Sequence, residues 1–354
     1  MTGPVYLPIM DGDLPMARPG SIEAFTPAEQ RDEVMQAAGA SVIGRSEEGR
    51  PIFGIALGTG PRHVSLISGN HSDEPVGSET LRLLVEHLAS GPSPWLDRFT
   101  FHIVAHANPD GEAKQQPWIE RWPDPLALWQ NVYREPPGRD VEFGYPDMRS
   151  ENRAAAEFLS GGAPYALHLS LHGMTVAEGA WHLIERSWVG RTQAFRRDYA
   201  AAIRSEGLGL FDWDRHGEKG FEYIEPGFNT TPRSAAMKQF FLAADDPATA
   251  AKFGLNSMEY VRSLGGDPLC MVTELPLFVV RAIGEQADAR PGVPAAFLAF
   301  RDAARQAKSH LQSGDAAAAL AAVSDFELTP VEIATAVRLQ RRAIELGLRT
   351  VGDA

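Results

Sequence analysis

Three side chains in the sequence are candidates for holding one metal ion. His71 and Glu74 stand three residues apart in GNHSDEPVGSE, directly after the apolar run HVSLIS. A histidine nitrogen and a carboxylate oxygen in one tight turn can bind the same ion. A catalytic zinc site commonly has three protein ligands and one position open for water. The third ligand must then come from elsewhere in the chain. The alternative interpretation is a solvated loop in which Glu74 caps a helix.

The segment YALHLSLHGM supplies two candidates for the third ligand, His168 and His172. Their even spacing places both on one face of a strand. His172 lies at the C-terminal end of the run, and ligands in open α/β sheets gather at that edge. The sequence therefore favours His172, whereas His168 suits a hydrogen-bonded core residue. We interpret His102 and His106, which alternate on another strand, in the same way as His168.

The elements around these residues alternate between strands and helices, which is typical of an α/β sheet. Apolar runs predict strands at 51–58, 63–70, 98–107, 165–174 and 268–278. Helical periodicity and capping residues predict helices at 26–40, 77–90, 150–161 and 190–207. Residues 208–255 show no clear pattern. The long connection at 112–137 carries Trp118, Trp122 and Trp129, which form either an aromatic wall over a pocket or the core of an insert.

The C-terminal part of the chain differs in composition from the rest. From about Pro294 the sequence is rich in alanine and helical in pattern. We therefore predict two units, a catalytic domain over residues 1–290 and a helical extension over residues 291–354. The amphipathic segment IATAVRLQRRAIELGL suits either docking on the domain or a subunit interface, so a homo-oligomer formed through these helices is one interpretation.

Composition narrows the classes of partner and compartment. The formal net charge of −13 argues against nucleic acid and against an anionic membrane surface, because both attract clustered Lys and Arg. Cys270 is the single cysteine, so no intrachain disulfide can form. The N-terminus lacks the pattern of a secretory signal, and no apolar run reaches the ~20 residues of a membrane span. We expect a cytoplasmic protein.

Several motifs occur in the order in which zinc carboxypeptidases, the M14 metallopeptidases, carry them. These are GRSEEGRPI, a strand leading into His71-x-x-Glu74, NPDG at 108–111, a strand ending in His172, and VTEL at 272–275. The chain resembles that family over about residues 40–280. The resemblance implies one zinc ion per chain, bound by His71, Glu74 and His172. It also implies a mixed sheet of about eight strands flanked by helices.

The resemblance implies roles for further charged residues. Glu274, in an otherwise apolar strand, corresponds to the general base that takes a proton from the attacking water. Arg134 corresponds to the arginine that stabilises charge on the carbonyl oxygen. Arg121 is the second choice, and we group it with the residues that contact substrate. The alternatives are a salt-bridged sheet carboxylate for Glu274 and surface arginines for the other two.

The segment GRDVEFGYP at 138–146 departs from the family pattern. Gly138, Asp140 and Pro146 keep the register. Where the family has an Asn-Arg pair that binds a terminal carboxylate, this chain has Glu142 and Phe143. The change removes a bidentate cation and introduces an anion. We expect Glu142 and Phe143 to bind substrate, with Glu142 facing an amine. The alternative is that Glu142 turns away and Phe143 only packs.

Together these features predict a zinc-dependent hydrolase that acts on a peptide or small amide with altered specificity. A second interpretation is an N-acyl amino acid deacylase similar to aspartoacylase and succinylglutamate desuccinylase. The segment GNHSDEPVG of this chain resembles the zinc loop of those enzymes. NPDG and GRSEEGRPI favour the peptidase branch. A third interpretation is a binding protein that keeps the zinc site without catalysis, and the presence of Glu274 argues against it.

Overall fold

Ten strands of the protein form one mixed sheet in the computed structural model, which describes residues 22–280 and 295–352. The strands are β1 (Ser41–Arg45), β2 (Pro51–Leu57), β3 (Arg62–Ser68), β4 (Phe99–Val104), β5 (Tyr165–Ala177), β6 (Trp181–Ile184), β7 (Tyr223–Glu225), β8 (Phe228–Thr230), β9 (Leu269–Val280) and β10 (Leu328–Pro330). Their order is β1-β2-β4-β3-β5-β9-β6-β8-β7, and β10 pairs with β9. The central neighbours β4, β3, β5 and β9 run parallel.

Helices flank this sheet on both faces. They are α1 (Ala28–Ala37), α2 (Val76–Ala89), α3 (Pro94–Arg98), α4 (Pro109–Ile119), α5 (Pro125–Asn131), α6 (Ser150–Ser160), α7 (Gln193–Ser205), α8 (Ser234–Ala243), α9 (Pro247–Ala250), α10 (Ser257–Ser263), α11 (Ala295–Gln312), α12 (Ala316–Val323) and α13 (Ile333–Gly352). The predicted fold class, a mixed sheet flanked by helices, is confirmed. The sheet has ten strands rather than about eight, and β7, β8 and β10 are three residues each, too short to show a period of two. Across the described ranges, no helix combines the length and the apolar character needed to cross a bilayer.

Alternate residues of the central strands face two separate hydrophobic clusters. Leu167, Leu169 and Leu171 of β5 belong to one cluster, together with apolar residues of α2 and α13. The intervening positions of β5 are His168, Ser170 and His172, all buried. A parallel sheet covered on both faces normally carries apolar residues at such positions. The polar face of β5 therefore marks the part of the sheet where chemistry is placed.

The C-terminal helices pack against the same sheet. In α13, Gln340 is fully buried, and its Nε2 donates to the carbonyl oxygen of His172 at 3.1 Å and to Oγ1 of Thr273 at 3.2 Å. The apolar side of this helix packs on the domain. This packing agrees with the first of the two interpretations of IATAVRLQRRAIELGL, docking on the domain. The predicted boundary between residues 290 and 291 lies outside the described residues and stays a prediction, as does a homo-oligomer.

Candidate metal centre

Two adjacent parallel strands bring the three predicted ligands together. β3 ends at Ser68, and the loop that follows carries His71 and Glu74 before α2 begins at Val76. Its parallel neighbour β5 carries His172. The loop turns at Gly69, which has a φ of 72°. A Cβ at that position would lie 2.6 Å from Nδ1 of His106, so only glycine fits between the turn and that ring.

The donor atoms of the three residues converge on one point. Nδ1 of His71 lies 3.0 Å from Oε1 of Glu74, and Nδ1 of His172 lies 2.7 Å from Oε2 of the same carboxylate. The two Nδ1 atoms are 2.9 Å apart. Two imidazole nitrogens and a carboxylate are a donor set of catalytic zinc sites. A cation among these atoms would satisfy all of them, so the residues suit a zinc ion.

Each metal-facing imidazole has a carboxylate near its other nitrogen. Nε2 of His172 lies 3.1 Å from Oε2 of Glu142 and 2.8 Å from Oγ of Ser170. Nε2 of His71 lies 3.2 Å from Oδ1 of Asp140. Histidines that bind metal commonly have such a partner, which fixes the tautomer and the orientation of the ring. Both carboxylates come from the segment Asp140–Glu142, which begins a single 3-10 turn.

The electrostatics of the cluster favour positive charge. Burial lowers the pKa of His71, as does Arg134, but Glu74 and Asp140 outweigh them and raise it to about 9. Burial also lowers the pKa of His172, and Glu74 and Glu142 again outweigh it, raising it well above its usual value. The acidic residues thus stabilise a cation at this place.

Glu142 and Phe143 lie elsewhere than we expected. Glu142 is buried, and its Oε1 accepts hydrogen bonds from the backbone N–H and the hydroxyl of Ser257 at 2.9 and 2.6 Å. Its Oε2 accepts from Asn70 and faces His172. Phe143 packs edge-on against Phe253, with ring centroids 5.4 Å apart. Neither side chain lines the cavity described below, so their placement does not support a role in substrate binding.

A cavity of about 480 Å³ opens beside Glu74, one of the three ligands. Glu274 lines it, on β9 directly opposite His172 in the strand register. No hydrogen bond or ion pair joins its carboxylate to any described residue. Enclosure raises the pKa of Glu274, the nearby charge of Glu74 raises it further, and the result is about 8. Glu274 is therefore a carboxyl group that faces the cavity and has a pKa close to neutral pH.

The two arginines of the sequence analysis differ in position. Arg134 lines the cavity, and its Nη1 donates to Oδ1 of Asp73 at 2.8 Å and to Oε1 of Glu74 at 2.7 Å. Arg121 is exposed and pairs with Asp124 at 2.6 Å, away from the cavity. Of the pair, only Arg134 is placed to act on a group bound near Glu274.

The remaining walls of the cavity are aromatic and apolar, and sequence reasoning found only part of them. Trp129 is one wall, whereas Trp118 is buried against Gln115 and Trp122 packs on Phe278. Trp181 of β6 also lines the cavity and was not predicted from the sequence. Four residues of α11 that face the cavity were not predicted either: Phe297, Phe300, Arg301 and Ala304. The i, i+3, i+4, i+7 spacing of this last group defines one helix face, but not what that face covers.

Comparison with known proteins shows a similarity between the region of this site and a known family. The family model for zinc carboxypeptidases matches residues 32–175, a range that contains His71, Glu74 and His172. This part of the chain is similar to the zinc carboxypeptidase family. Its fold and donor set are those of a zinc metallopeptidase-like enzyme. The matched range ends before Glu274, so the comparison covers the ligands but not the proposed base. No curated protein matches the chain significantly.

Several solved structures are similar to this chain at low sequence identity. Carboxypeptidase A from Helicoverpa armigera superposes with a TM-score of 0.52 and 14% identity, over 94% of this chain and 75% of its own. A metallo-carboxypeptidase from Burkholderia cenocepacia gives 0.46 and 17%, over 89% and 69%. A metallo-carboxypeptidase from Pseudomonas aeruginosa in complex with (2-guanidinoethylmercapto)succinic acid gives 0.45 and 16%, over 85% and 69%. The first of these supports the carboxypeptidase-like fold.

Proposed function

We propose that this protein hydrolyses peptide or small amide bonds with one zinc ion per chain, held by His71, Glu74 and His172. The observation that carries the proposal is the arrangement of one cavity. Glu74, one of the three converging ligands, lines this cavity together with Glu274, whose carboxylate has no hydrogen-bond or ion-pair partner among the described residues. A non-catalytic binding site would need the ligands but not this fourth group.

Glu274 acts as the general base in this proposal. A zinc ion held by His71, Glu74 and His172 would supply Lewis-acid chemistry, polarising a substrate carbonyl and making water more acidic. Burial and the charge of Glu74 bring the pKa of Glu274 close to neutral pH, where one group can both accept and donate a proton. Glu274 accepts the proton of the attacking water and then donates it to the nitrogen of the departing amine, so the proton count balances over the reaction.

Arg134 stabilises the negative charge that develops on the carbonyl oxygen. Its guanidinium is held by Asp73 and Glu74, so it is oriented before substrate binds. The side chain remains 43% exposed towards the cavity, and further N–H groups are free to donate. Fixed donors of this kind act without a reorganisation cost during the reaction.

The specificity of the enzyme differs from that implied by a carboxylate clamp. Phe143 stands where the family pattern has arginine, and Glu142 is engaged with Ser257, Asn70 and His172. Recognition of a terminal carboxylate by these two positions is therefore absent from the proposal. The substrate is selected by other walls of the cavity.

Replacing the base tests the proposal. The zinc content of purified wild-type protein, Glu274→Gln and His71→Ala is measured by mass spectrometry, and hydrolysis is followed on a panel of peptides and N-acyl amino acids. We expect Glu274→Gln to keep zinc and to lose about 10²–10⁴-fold in rate. We expect His71→Ala to lose zinc. Glu222→Gln, an exposed glutamate paired with Arg186, is the matched control and keeps both.

Two results would contradict the proposal. The first is a Glu274→Gln protein with undiminished activity, which would remove the assigned base. The second is a zinc-loaded wild-type protein that cleaves no member of the panel.

A further inference from the structure

The two arginines that line the cavity differ in whether they form ion pairs. Arg134 is bound to Asp73 and Glu74, which also accounts for both of those carboxylates. Arg301 of α11 lines the same cavity. It forms no ion pair and no hydrogen bond with any residue that the structure describes. Among the residues that the structure describes, Arg301 is the cation of the cavity wall that has no ion pair or hydrogen bond, so its guanidinium is free to bind a ligand.

Helix α11 holds Arg301 in a defined place. Phe297, one turn before it, packs edge-on against Trp213 with ring centroids 4.3 Å apart. Phe300 contacts Phe326 at 5.3 Å and the cavity residue Trp129 at 6.5 Å. These contacts anchor the helix face that carries Arg301. The guanidinium thus extends from a fixed backbone rather than from a loop.

The same cavity also has apolar walls. Trp129, Trp181 and Val176 line it together with the two phenylalanines of the helix. Aromatic walls bury a large apolar area and favour a flat apolar group in the ligand. Within the described part of the chain, the cavity thus combines an apolar wall with one unpaired cation. The position that would bind a carboxylate in the family pattern is occupied by Phe143.

We propose that Arg301 is a specificity-determining residue that binds a carboxylate of the substrate, while an aromatic or aliphatic part of that substrate lies against Trp129 and Trp181. The inference rests on the proposed function, because it places the substrate of that hydrolase in this cavity. A guanidinium binds a carboxylate through two parallel hydrogen bonds, which gives orientation as well as affinity. The substrate class is an amide that joins an apolar group to an anionic one.

A matched pair of small ligands tests this assignment without requiring turnover. The probes are 3-phenylpropionate and 3-phenylpropanamide, which share an aromatic body and differ in charge. Binding to zinc-loaded protein is measured by calorimetry and by the fluorescence of the cavity tryptophans. We expect wild-type protein to prefer the carboxylate by about 10–100-fold, the range of a charged hydrogen-bonded contact. In Arg301→Gln the preference falls to within about threefold.

Arg305→Gln is the control for charge on the same helix. Arg305 is one turn further on, pairs with Asp302 at 2.8 Å and does not line the cavity. We expect this variant to keep the wild-type preference. Zinc content and thermal melting are compared across the variants, so that a loss of binding cannot come from a loss of fold or of metal.

The outcomes separate this inference from the proposed function. An Arg301→Gln protein that still prefers the carboxylate would overturn the inference, since zinc or Arg134 would then bind that group. Wild-type protein that binds neither probe, or both equally, would overturn it as well. Glu274→Gln keeps the preference if the inference is correct. Catalysis without dependence on Arg301 therefore refutes only the inference, and an Arg301-dependent preference without catalysis refutes only the hydrolase.

Discussion

His71 and His172 differ from two buried strand histidines, His168 and His182, in their neighbours rather than in the enclosure of their rings. Burial lowers the pKa of His168, and it comes to about 4. Its Nδ1 lies 2.6 Å from Oγ of Ser65 and its Nε2 3.3 Å from Oγ of Ser257. The two metal-facing rings are just as enclosed, yet their pKa values are raised, because carboxylates lie against both nitrogens of each ring.

The second of these strand histidines shows the effect of burial alone. His182 is fully buried among Phe195, Tyr199 and Phe228, with ring centroids 5.0 to 6.0 Å away. Burial lowers its pKa to about 3. Carboxylate neighbours, and not enclosure, therefore make a buried histidine of this protein suited to binding a cation.

The largest effect is expected from the two histidines of β5. His172→Ala should lower zinc affinity by roughly a thousandfold, because ~10–16 kcal/mol of zinc binding is typically shared among three or four ligands. His168→Ala, four residues earlier on the same face, should leave zinc affinity within about threefold. Competition with a fluorescent zinc chelator measures both. Equal losses in the two variants would end the distinction between a ligand and a core histidine.

Removing the carboxylate near Nε2 of His172 tests whether a carboxylate neighbour makes this histidine a better metal ligand. Glu142→Gln keeps the shape of the side chain but weakens its hold on Nε2, and we expect zinc affinity to fall by about 10–100-fold. The matched control is Glu151→Gln, a buried glutamate that pairs with Arg149 at 2.6 Å and touches no ligand. An unchanged zinc affinity in Glu142→Gln would show that the turn at Val141–Phe143 plays no part in the metal site.

His182 allows the cost of burial to be measured as a pH dependence of stability. The folded state keeps the ring neutral down to about pH 3, whereas the unfolded chain binds a proton below about pH 6.5. The free energy of unfolding therefore decreases as the pH falls through that window, by ~2 kcal/mol at pH 5. His182→Phe should lack this part of the decrease.

Urea unfolding of both proteins at pH 7.5 and pH 5 gives the difference directly. His182→Leu serves as a second variant where the larger ring disturbs packing. If wild type and both variants lose the same stability between the two pH values, His182 is not neutral in the folded state.

The sequence supports these contrasts unevenly. His71, Glu74 and His172 could be predicted because they fall at the ends of recognisable strands, in motifs that resemble those of zinc carboxypeptidases. The role of Glu142 could not, since it depends on a 3-10 turn folding back under His172. The position of α11 along the cavity could not be predicted either, because an apolar helix face does not specify the surface on which it packs. Contacts between residues distant in the chain are the part that spacing does not encode.

His106 is the intermediate case and gives the smallest expected effect. Its Nε2 lies 3.8 Å from Oε1 of Glu112, yet that carboxylate is also bound by the buried Arg31. Burial lowers the pKa of His106 to about 4, and Arg31 opposes the effect of Glu112. In Arg31→Met the carboxylate would act on the ring alone, so we expect the pKa of His106 to rise by roughly one unit.

Titration of the imidazole proton signals by NMR measures this rise, with His106→Asn to assign the signal. A pKa that stays near 4 would mean that a nearby carboxylate is insufficient to favour charge on a buried ring. The contrast with His71 would then require the second carboxylate, Asp140, and not Glu74 alone.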